Sequence, residues 1–64
     1  MSESGQPPID LSRKALSLRN RAEELRTAGE TTRSDQARRI LLNLAREADE
    51  AARRIEEALK QAQN

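Results

Sequence analysis

The chain has 64 residues and contains no Cys, His, Phe, Tyr or Trp, so it can form one small domain without disulfides or aromatic packing. The missing Cys and His remove the usual zinc and iron ligands and the usual nucleophiles and proton-transfer groups, so we expect no metal, no cofactor and no enzyme activity. Twelve Lys and Arg against eleven Asp and Glu give a net charge of +1, which predicts no strong general attraction to nucleic acid or an anionic membrane.

The first residues of the chain predict a tail. Residues 1–9 include Pro7 and Pro8 and are otherwise mostly polar, which predicts a flexible N-terminal tail ahead of a helical hairpin domain over 10–64. The polar, acidic start differs from a signal peptide. The longest apolar run, Ile40 to Leu42, is far shorter than the roughly 20 residues that span a membrane. We therefore expect a cytoplasmic protein that does not bind a membrane.

A first helix is predicted over about residues 10–28. Asp10 is a good N-cap, because its carboxylate can accept a hydrogen bond from a backbone N–H of the first turn. Gly29 suits a left-handed C-cap at the other end. Between them, apolar residues recur at spacings of four and three, which is typical of one face of a helix. These residues are Leu11, Ala15, Leu18, Ala22 and Leu25.

A second helix is predicted over about residues 33–62 and carries the strongest periodic signal in the chain. Either Thr32 or Ser34 can serve as its N-cap. Apolar spacings of four and three continue over about four heptads. The stripe consists of Ala37, Leu41, Leu44, Ala48, Ala51, Ile55, Ala58 and Ala62, with Ala45, Ala52 and Leu59 beside it on one side and Ile40 on the other. The apolar surface is therefore wide enough to contact more than one helix.

Charged residues of the second helix form a further pattern. Opposite charges stand four residues apart, with the acid first, at Asp35/Arg39, Asp49/Arg53, Glu50/Arg54 and Glu56/Lys60. This order is the better orientation for ion pairs along a helix, each of which contributes about 0.2–0.5 kcal/mol. The pattern predicts an exposed, charged side on the second helix.

A short connection between the two helices predicts an antiparallel hairpin in an all-α fold. At about 1.5 Å per residue the second helix is much longer than the first, so we expect its end, with Ile55, Ala58, Leu59 and Ala62, to project beyond the first helix. Two hairpins that cover each other's ends would form a four-helix bundle, and a homodimer is the commonest closed assembly. The interface predicted for self-association or for a helical partner protein consists of Leu11, Leu18, Leu25, Leu41, Leu44, Ala48, Ala51, Ile55 and Leu59.

The N-terminal half of the first helix is basic, and two interpretations stay open. The first is that the chain binds nucleic acid and contacts phosphates through Arg13, Lys14, Arg19 and Arg21. The second is charge complementarity, because an antiparallel hairpin places these residues beside residues 47–57, which are rich in Asp and Glu. The absence of aromatic side chains that could stack on bases favours the second interpretation.

Three segments carry a resemblance to known proteins. RAEELR at 21–26, ARRILLNLA at 37–45 and AARRIE at 51–56 resemble a loosely defined group of short bacterial proteins of unknown function. That group combines a helix of the RAEELR type with a second helix of the ARxxLLxLA type. The resemblance implies a helical hairpin in a bacterial cytoplasm and brings no catalytic or binding residues.

The sequence as a whole predicts a non-enzymatic helical interaction or oligomerisation module. It would associate through its Leu/Ile/Ala stripe, either with a second copy or with a helical protein partner. The alternative function is a small nucleic-acid-binding regulator that uses the basic side of the first helix.

Overall fold

A computed structural model of the protein describes residues 10–62, and every regular element in this range is a helix. Helix α1 spans Leu11–Thr31 and helix α2 spans Asp35–Ala62. The helices are antiparallel, and the predicted all-helical hairpin is confirmed. Neither helix combines the length and the apolar character that crossing a membrane requires. The tail predicted over residues 1–9 lies outside the described residues.

Helix α1 begins as predicted and ends later than predicted. Asp10 is the N-cap, and its carboxylate accepts a hydrogen bond from the backbone N–H of Arg13 at 3.2 Å. The prediction that Gly29 is a left-handed cap is wrong, because no described glycine has a positive φ and the helix continues past this residue. The chain leaves the helix at Thr32, which is extended and donates its N–H to the carbonyl of Ala28 at 3.0 Å.

Ser34 is the N-cap of α2, which decides between the two candidates. Its hydroxyl accepts a hydrogen bond from the N–H of Ala37 at 3.1 Å, and its carbonyl accepts one from the N–H of Arg38 at 2.9 Å. Thr32 instead ends α1, and its hydroxyl accepts a bond from the N–H of Ser34 at 3.4 Å. The helix therefore begins at Asp35, slightly later than predicted.

Arg38 of α2 caps the C-terminal end of α1. Its Nε donates to the carbonyl of Gly29 and its Nη2 donates to the carbonyl of Thr32, each at 3.1 Å. Its Nη1 donates to the carboxylate of Asp35 at 3.1 Å, which orients the guanidinium. The last carbonyls of a helix have no partner within the helix, so one planar side chain here satisfies two acceptors that would otherwise need water.

The two helices meet through small side chains, and we call this contact the seam. It consists of Ala15, Ala22 and Gly29 on α1 and Ala45, Ala48 and Ala52 on α2. Among the described residues no large side chain is fully buried. Ala45 and Ala52, which the sequence pattern placed beside the stripe of α2, are only 1% and 0% exposed. The predicted phase of α2 is therefore wrong, because the helices approach each other on the side where the side chains are smallest.

Gly29 lies at a point of close approach between the helices. A Cβ at this position would stand 3.2 Å from Cδ2 of Leu42 and 3.5 Å from Cβ of Leu41. The first distance is shorter than ordinary carbon–carbon contacts of about 3.5–4.0 Å. This crowding explains a glycine inside a helix, where it is about 1 kcal/mol less favourable than alanine. It also shows that Gly29 is level with Leu42.

The two helices end nearly level, so the predicted projection of α2 by several turns is wrong. Arg19 and Glu56 are in contact, and only about two turns of each helix lie beyond them. Of the residues expected to face solvent, Ile55 and Leu59 are half-buried, whereas Ala58 and Ala62 are exposed. The prediction fails because α1 is longer than expected and because the first turn of α2 lies beyond the end of α1, from where Arg38 reaches back.

Candidate interaction faces

Four charged side chains connect α1 and α2 on one side of the hairpin, which we call the ionic face. Arg19 binds Glu56 through two hydrogen bonds, from Nε to Oε2 at 3.1 Å and from Nη2 to Oε1 at 2.7 Å. Its Nη1 donates to Oδ1 of Asp49 at 3.0 Å. Arg26 donates to the other oxygen of Asp49 at 2.7 Å. The four groups form one row of alternating charge that spans about two turns of each helix.

The ionic face shifts pKa values toward the charged forms. The hydrogen bond from Arg26, helped by the one from Arg19, lowers the pKa of Asp49 below its ordinary value. The hydrogen bonds from Arg19 lower the pKa of Glu56. The bonds to Glu56 and Asp49 in turn raise the pKa of Arg19. All of these side chains are partly exposed, so solvent screening keeps each pair weak, and their main effect is to fix the register of the two helices.

The acids of the ionic face pair between the helices and not along α2. The sequence pattern predicts that Asp49 pairs with Arg53 and that Glu56 pairs with Lys60, but within residues 10–62 neither pair forms. Arg53 instead lies 3.6 Å from the carboxylate of Glu50. The acids turn toward α1 because two arginines on the facing helix offer several donors each.

Helix geometry places apolar residues of α1 on the side opposite the ionic face. The two arginines of the ionic face follow the buried Ala15 and Ala22 by four positions, a rotation of about +40° around the helix. Leu18 and Leu25 follow the same alanines by three positions, a rotation of about −60°. The arginines and the leucines therefore flank the seam on opposite sides.

The same geometry applies to α2. The two acids of the ionic face each follow a buried alanine of the seam by four positions, whereas Ala51 and Ile55 each follow one by three. Leu44 precedes the buried Ala48 by four positions, which places it on the same flank as Ala51 and Ile55. Since the acids and the arginines meet on one side, the other flanks of both helices share the opposite side. We call this side the apolar face; it consists of Leu18, Leu25, Leu44, Ala51 and Ile55.

The apolar face leaves large aliphatic side chains accessible to solvent. Leu44 is 44% exposed, and Ile40, at the outer border of the face on α2, is 52% exposed. Leu18, Leu25 and Ile55 are half-buried by the seam beneath them. Because these side chains lie side by side on two antiparallel helices, they form one continuous surface that another helical surface can cover.

The residues that the sequence predicts as an association interface fall into three groups. Five of them form the apolar face. Leu41 and Leu59 are half-buried along the seam, and Leu11 is 39% exposed at the start of α1. Ala48 is only 8% exposed because it packs within the hairpin, so it does not offer its side chain to a second molecule.

The residues predicted to contact nucleic acid are also divided by the structure. Arg19 is engaged by the two acids of the ionic face. Arg13 lies 4.0 Å from the carboxylate of Asp10, a separation at the outer limit of an ion pair. Lys14 and Arg21 line an open groove along the outer side of α1. Charge complementarity between the helices is thus confirmed for Arg19, while Lys14 and Arg21 are placed on the opposite flank of α1.

Sequence reasoning did not identify Arg26 as a bridging residue or recognise the row of four charges. A signal for it exists in the sequence. Arg19 and Arg26 are seven residues apart on the first helix, and Asp49 and Glu56 are seven residues apart on the second. Matching heptad spacings of opposite charge on two antiparallel helices predict that the two pairs can meet.

No protein-family model, curated protein or solved structure matches the chain. The resemblance to short bacterial hairpin proteins therefore stays a prediction, and the functional interpretation rests on the two faces of the hairpin.

Proposed function

We propose that this protein is a non-enzymatic helical interaction module whose hairpins self-associate through the apolar face into a four-helix bundle. One observation carries the proposal: the charges that bridge the helices lie on one side of the hairpin, and the other side carries aliphatic side chains from both helices, of which Leu44 is 44% exposed; Leu16 and Leu42 are also exposed but lie outside this face. Such segregation is typical of an amphipathic element that buries its apolar side against another element.

The hairpin alone fully buries no large apolar side chain among its described residues. Its described buried hydrophobic side chains are all alanines, whereas the leucines and isoleucines stay partly exposed. A fully buried Leu or Ile contributes about 1.5–3 kcal/mol, so the exposed area of Leu44, Ile40 and their partly buried neighbours leaves part of the available stabilisation unused in the isolated hairpin. Chains of this size usually need disulfides, metals or association, and this chain has no Cys. Association through the apolar face supplies the missing burial.

A second copy of the chain fits this surface. With a net charge of +1, two copies do not repel each other strongly. The outer border of the apolar face carries both signs of charge, with Glu47 and Arg54 exposed on α2. The charges of the ionic face are already paired within the hairpin, so covering the apolar face leaves them in solvent and adds no desolvation cost.

Light scattering after size exclusion, with concentration read by refractive index because the chain lacks Trp and Tyr, tests the proposal. We expect a mass of two chains for the natural protein and loss of that mass for Leu44→Asp. Leu16→Asp is the matched control, because Leu16 is 61% exposed and lies on α1 away from the apolar face. A dimer that survives Leu44→Asp, or that Leu16→Asp disrupts equally, would contradict the assignment of the interface.

A monomeric natural chain at all concentrations would also contradict self-association. Far-ultraviolet circular dichroism then distinguishes two cases. A helical monomer would show that the hairpin is stable without covering its apolar face, and a largely unfolded monomer would indicate that a different helical protein supplies the cover.

Nucleic-acid binding is the alternative function, supported by the groove that Lys14 and Arg21 line on α1. It requires binding to single-stranded RNA or duplex DNA that weakens steeply with salt. We expect no such binding in fluorescence anisotropy at low salt. Binding that falls when Lys14 and Arg21 are both replaced by Ala, while the dimer persists, would favour the alternative.

A further inference from the structure

We infer that two hairpins pack with α2 of one copy antiparallel to α2 of the other, around a twofold axis that crosses α2 near position 50. This inference rests on the proposed self-association. It adds the arrangement of the four helices, which self-association by itself leaves open.

Going outward from position 50 in either direction along α2, the apolar side meets residues of similar kind at similar distances. Leu44 and Ile55 lie at equal distances from position 50 to within one residue, and so do Glu47 and Arg54. The small residue Ala51 lies at the centre. Across a twofold axis between antiparallel helices, each residue faces the one at the same distance on the other side. Leu44 of one copy therefore faces Ile55 of the other, and the central alanines allow the helices to approach closely.

Charges on the border of the apolar face favour the same pairing. Glu47 follows Leu44 by three positions and Arg54 follows Ala51 by three, so both lie on the outer border of α2, where both are exposed. In the antiparallel arrangement Glu47 of each copy faces Arg54 of the other, which gives two symmetric ion pairs. In a parallel pairing of the two α2 helices each residue would face its own kind.

Helix α1 gives an independent measure of where the axis lies. Its two leucines on the apolar face, Leu18 and Leu25, are centred between positions 21 and 22. Gly29 is level with Leu42. Because the helices are antiparallel, moving seven to eight residues from that level leads back along α1 to positions 21–22 and forward along α2 to positions 49–50. These positions are therefore level with each other. The patterns of both helices thus have their midpoints at the same level, as a single axis across the hairpin requires.

The other closed arrangement places α1 of one copy against α2 of the second. Counting back along α1 from Gly29 and forward along α2 from Leu42 puts Lys14 level with position 57 of α2. The same count puts Arg21 level with position 50. Both basic side chains would then stand within about a turn of Arg54 of the second copy. Arg21 would stand equally close to Glu47, three residues from position 50, so the deciding difference is that Arg54 gains no acidic partner here, whereas the antiparallel α2 pairing places it against Glu47.

Cysteine cross-linking tests the inferred axis, since the chain has no native Cys. Ala51→Cys lies next to the axis, so we expect the two Cα atoms of position 51 to come near the separation of about 4.4–6.8 Å that a disulfide needs. We expect a covalent dimer of Ala51→Cys under mild oxidation and none of Leu16→Cys, with light scattering run on both. A noncovalent dimer without the cross-link would overturn the inferred arrangement and leave self-association standing. Monomeric mass for both variants and for the natural chain would overturn both.

Charge reversal gives a second test that does not depend on cysteine chemistry. We expect Glu47→Arg and Arg54→Glu each to weaken the dimer about tenfold, because each creates two like-charged pairs. An equimolar mixture of the two variants restores both ion pairs and should recover the dimer. Glu57→Arg and Arg46→Glu are matched controls, since they make the same charge changes on the outer side of α2. Equal weakening of the dimer by the control variants, or no recovery in the test mixture, would overturn the arrangement.

Discussion

Arg19 of α1 and Glu56 of α2 form a two-bond guanidinium–carboxylate pair, with N–O distances of 3.1 and 2.7 Å between residues 37 positions apart in the chain. This geometry is the most specific contact between the helices. The alanine seam has no directional contacts, whereas the forked pair, together with Arg26 and Asp49, holds these four residues opposite one another. Register matters because it sets the two halves of the apolar face at the same level.

Acid should weaken the hairpin. The pKa values of Asp49 and Glu56 are lowered in the folded chain, so the stabilisation from these carboxylates is complete above their unfolded pKa values, near 4, and is lost as pH falls through the lower folded values. We expect helicity by circular dichroism, followed with thermal unfolding, to fall below about pH 4. Asp49→Asn should be less stable at neutral pH and lose less on acidification. If the stability of Asp49→Asn fell equally steeply below about pH 4, other carboxylates would control the loss of stability in acid.

A larger side chain in the seam should separate the helices. Ala22 is 0% exposed, so Ala22→Leu must push α2 away and should lower the free energy of unfolding by about 1–3 kcal/mol. Ala28→Leu is the control, because Ala28 is exposed on the same helix and accepts the same added volume in solvent. Chemical denaturation followed by circular dichroism measures the difference. Equal stability of the two variants would mean that the helices do not meet through the alanines.

Removal of the Arg38 cap should destabilise the turn. Arg38→Ala leaves the carbonyls of Gly29 and Thr32 without a protein donor and should cost about 0.5–1.5 kcal/mol. Arg39→Ala is the control, since Arg39 is exposed and adjacent in the chain. We expect Arg38→Lys to rescue little, because one ammonium group cannot match the planar fork that reaches both carbonyls. Amide hydrogen exchange at residues 32–35 should rise in Arg38→Ala and stay unchanged in Arg39→Ala.

Arg21 should oppose association. It lies on the outer border of the apolar face close to the inferred axis, so the two copies bring their Arg21 side chains toward each other. Arg21→Gln removes this repulsion and should tighten the dimer by up to about fivefold, an effect that added salt reduces. Analytical ultracentrifugation of Arg21→Gln against Arg13→Gln, a residue on the outer side of the same helix, measures the difference. Weaker association of Arg21→Gln would count against the axis position.

Local signals in the sequence predicted the two helices, and they could not predict how the helices face each other. Asp10 and Ser34 act as caps through chemistry that short segments contain. The phase of α2 is different, because alanine and leucine both count as apolar in a periodic pattern. Only the packed structure distinguishes them, since close approach favours Ala45 and Ala52 and leaves Leu44 outside.

The proposed interaction surface was predictable only in part, for the same physical reason. The apolar stripe of the second helix is wider than one neighbouring helix can cover, which indicates contacts with two neighbours. This width can be seen in the sequence. The sequence does not say which half of the stripe is used within the hairpin and which half remains for association. The Gly29 contact with Leu42 and the row of four charges resolve this division, and both are long-range features that depend on register.

The alanine seam has a consequence for how the amount of this protein relates to its state. Because the hairpin by itself fully buries only small side chains, its proposed dimer adds to the stabilising burial, and the folded fraction depends on protein concentration. At low protein concentration more of the chain would be monomeric and unfolded, and it would be degraded faster. At high concentration dimer formation would keep more of it folded and so protect it from proteases. The protein's lifetime would then rise with its own expression level, which makes a sharp response to small changes in synthesis an inherent property of the hairpin.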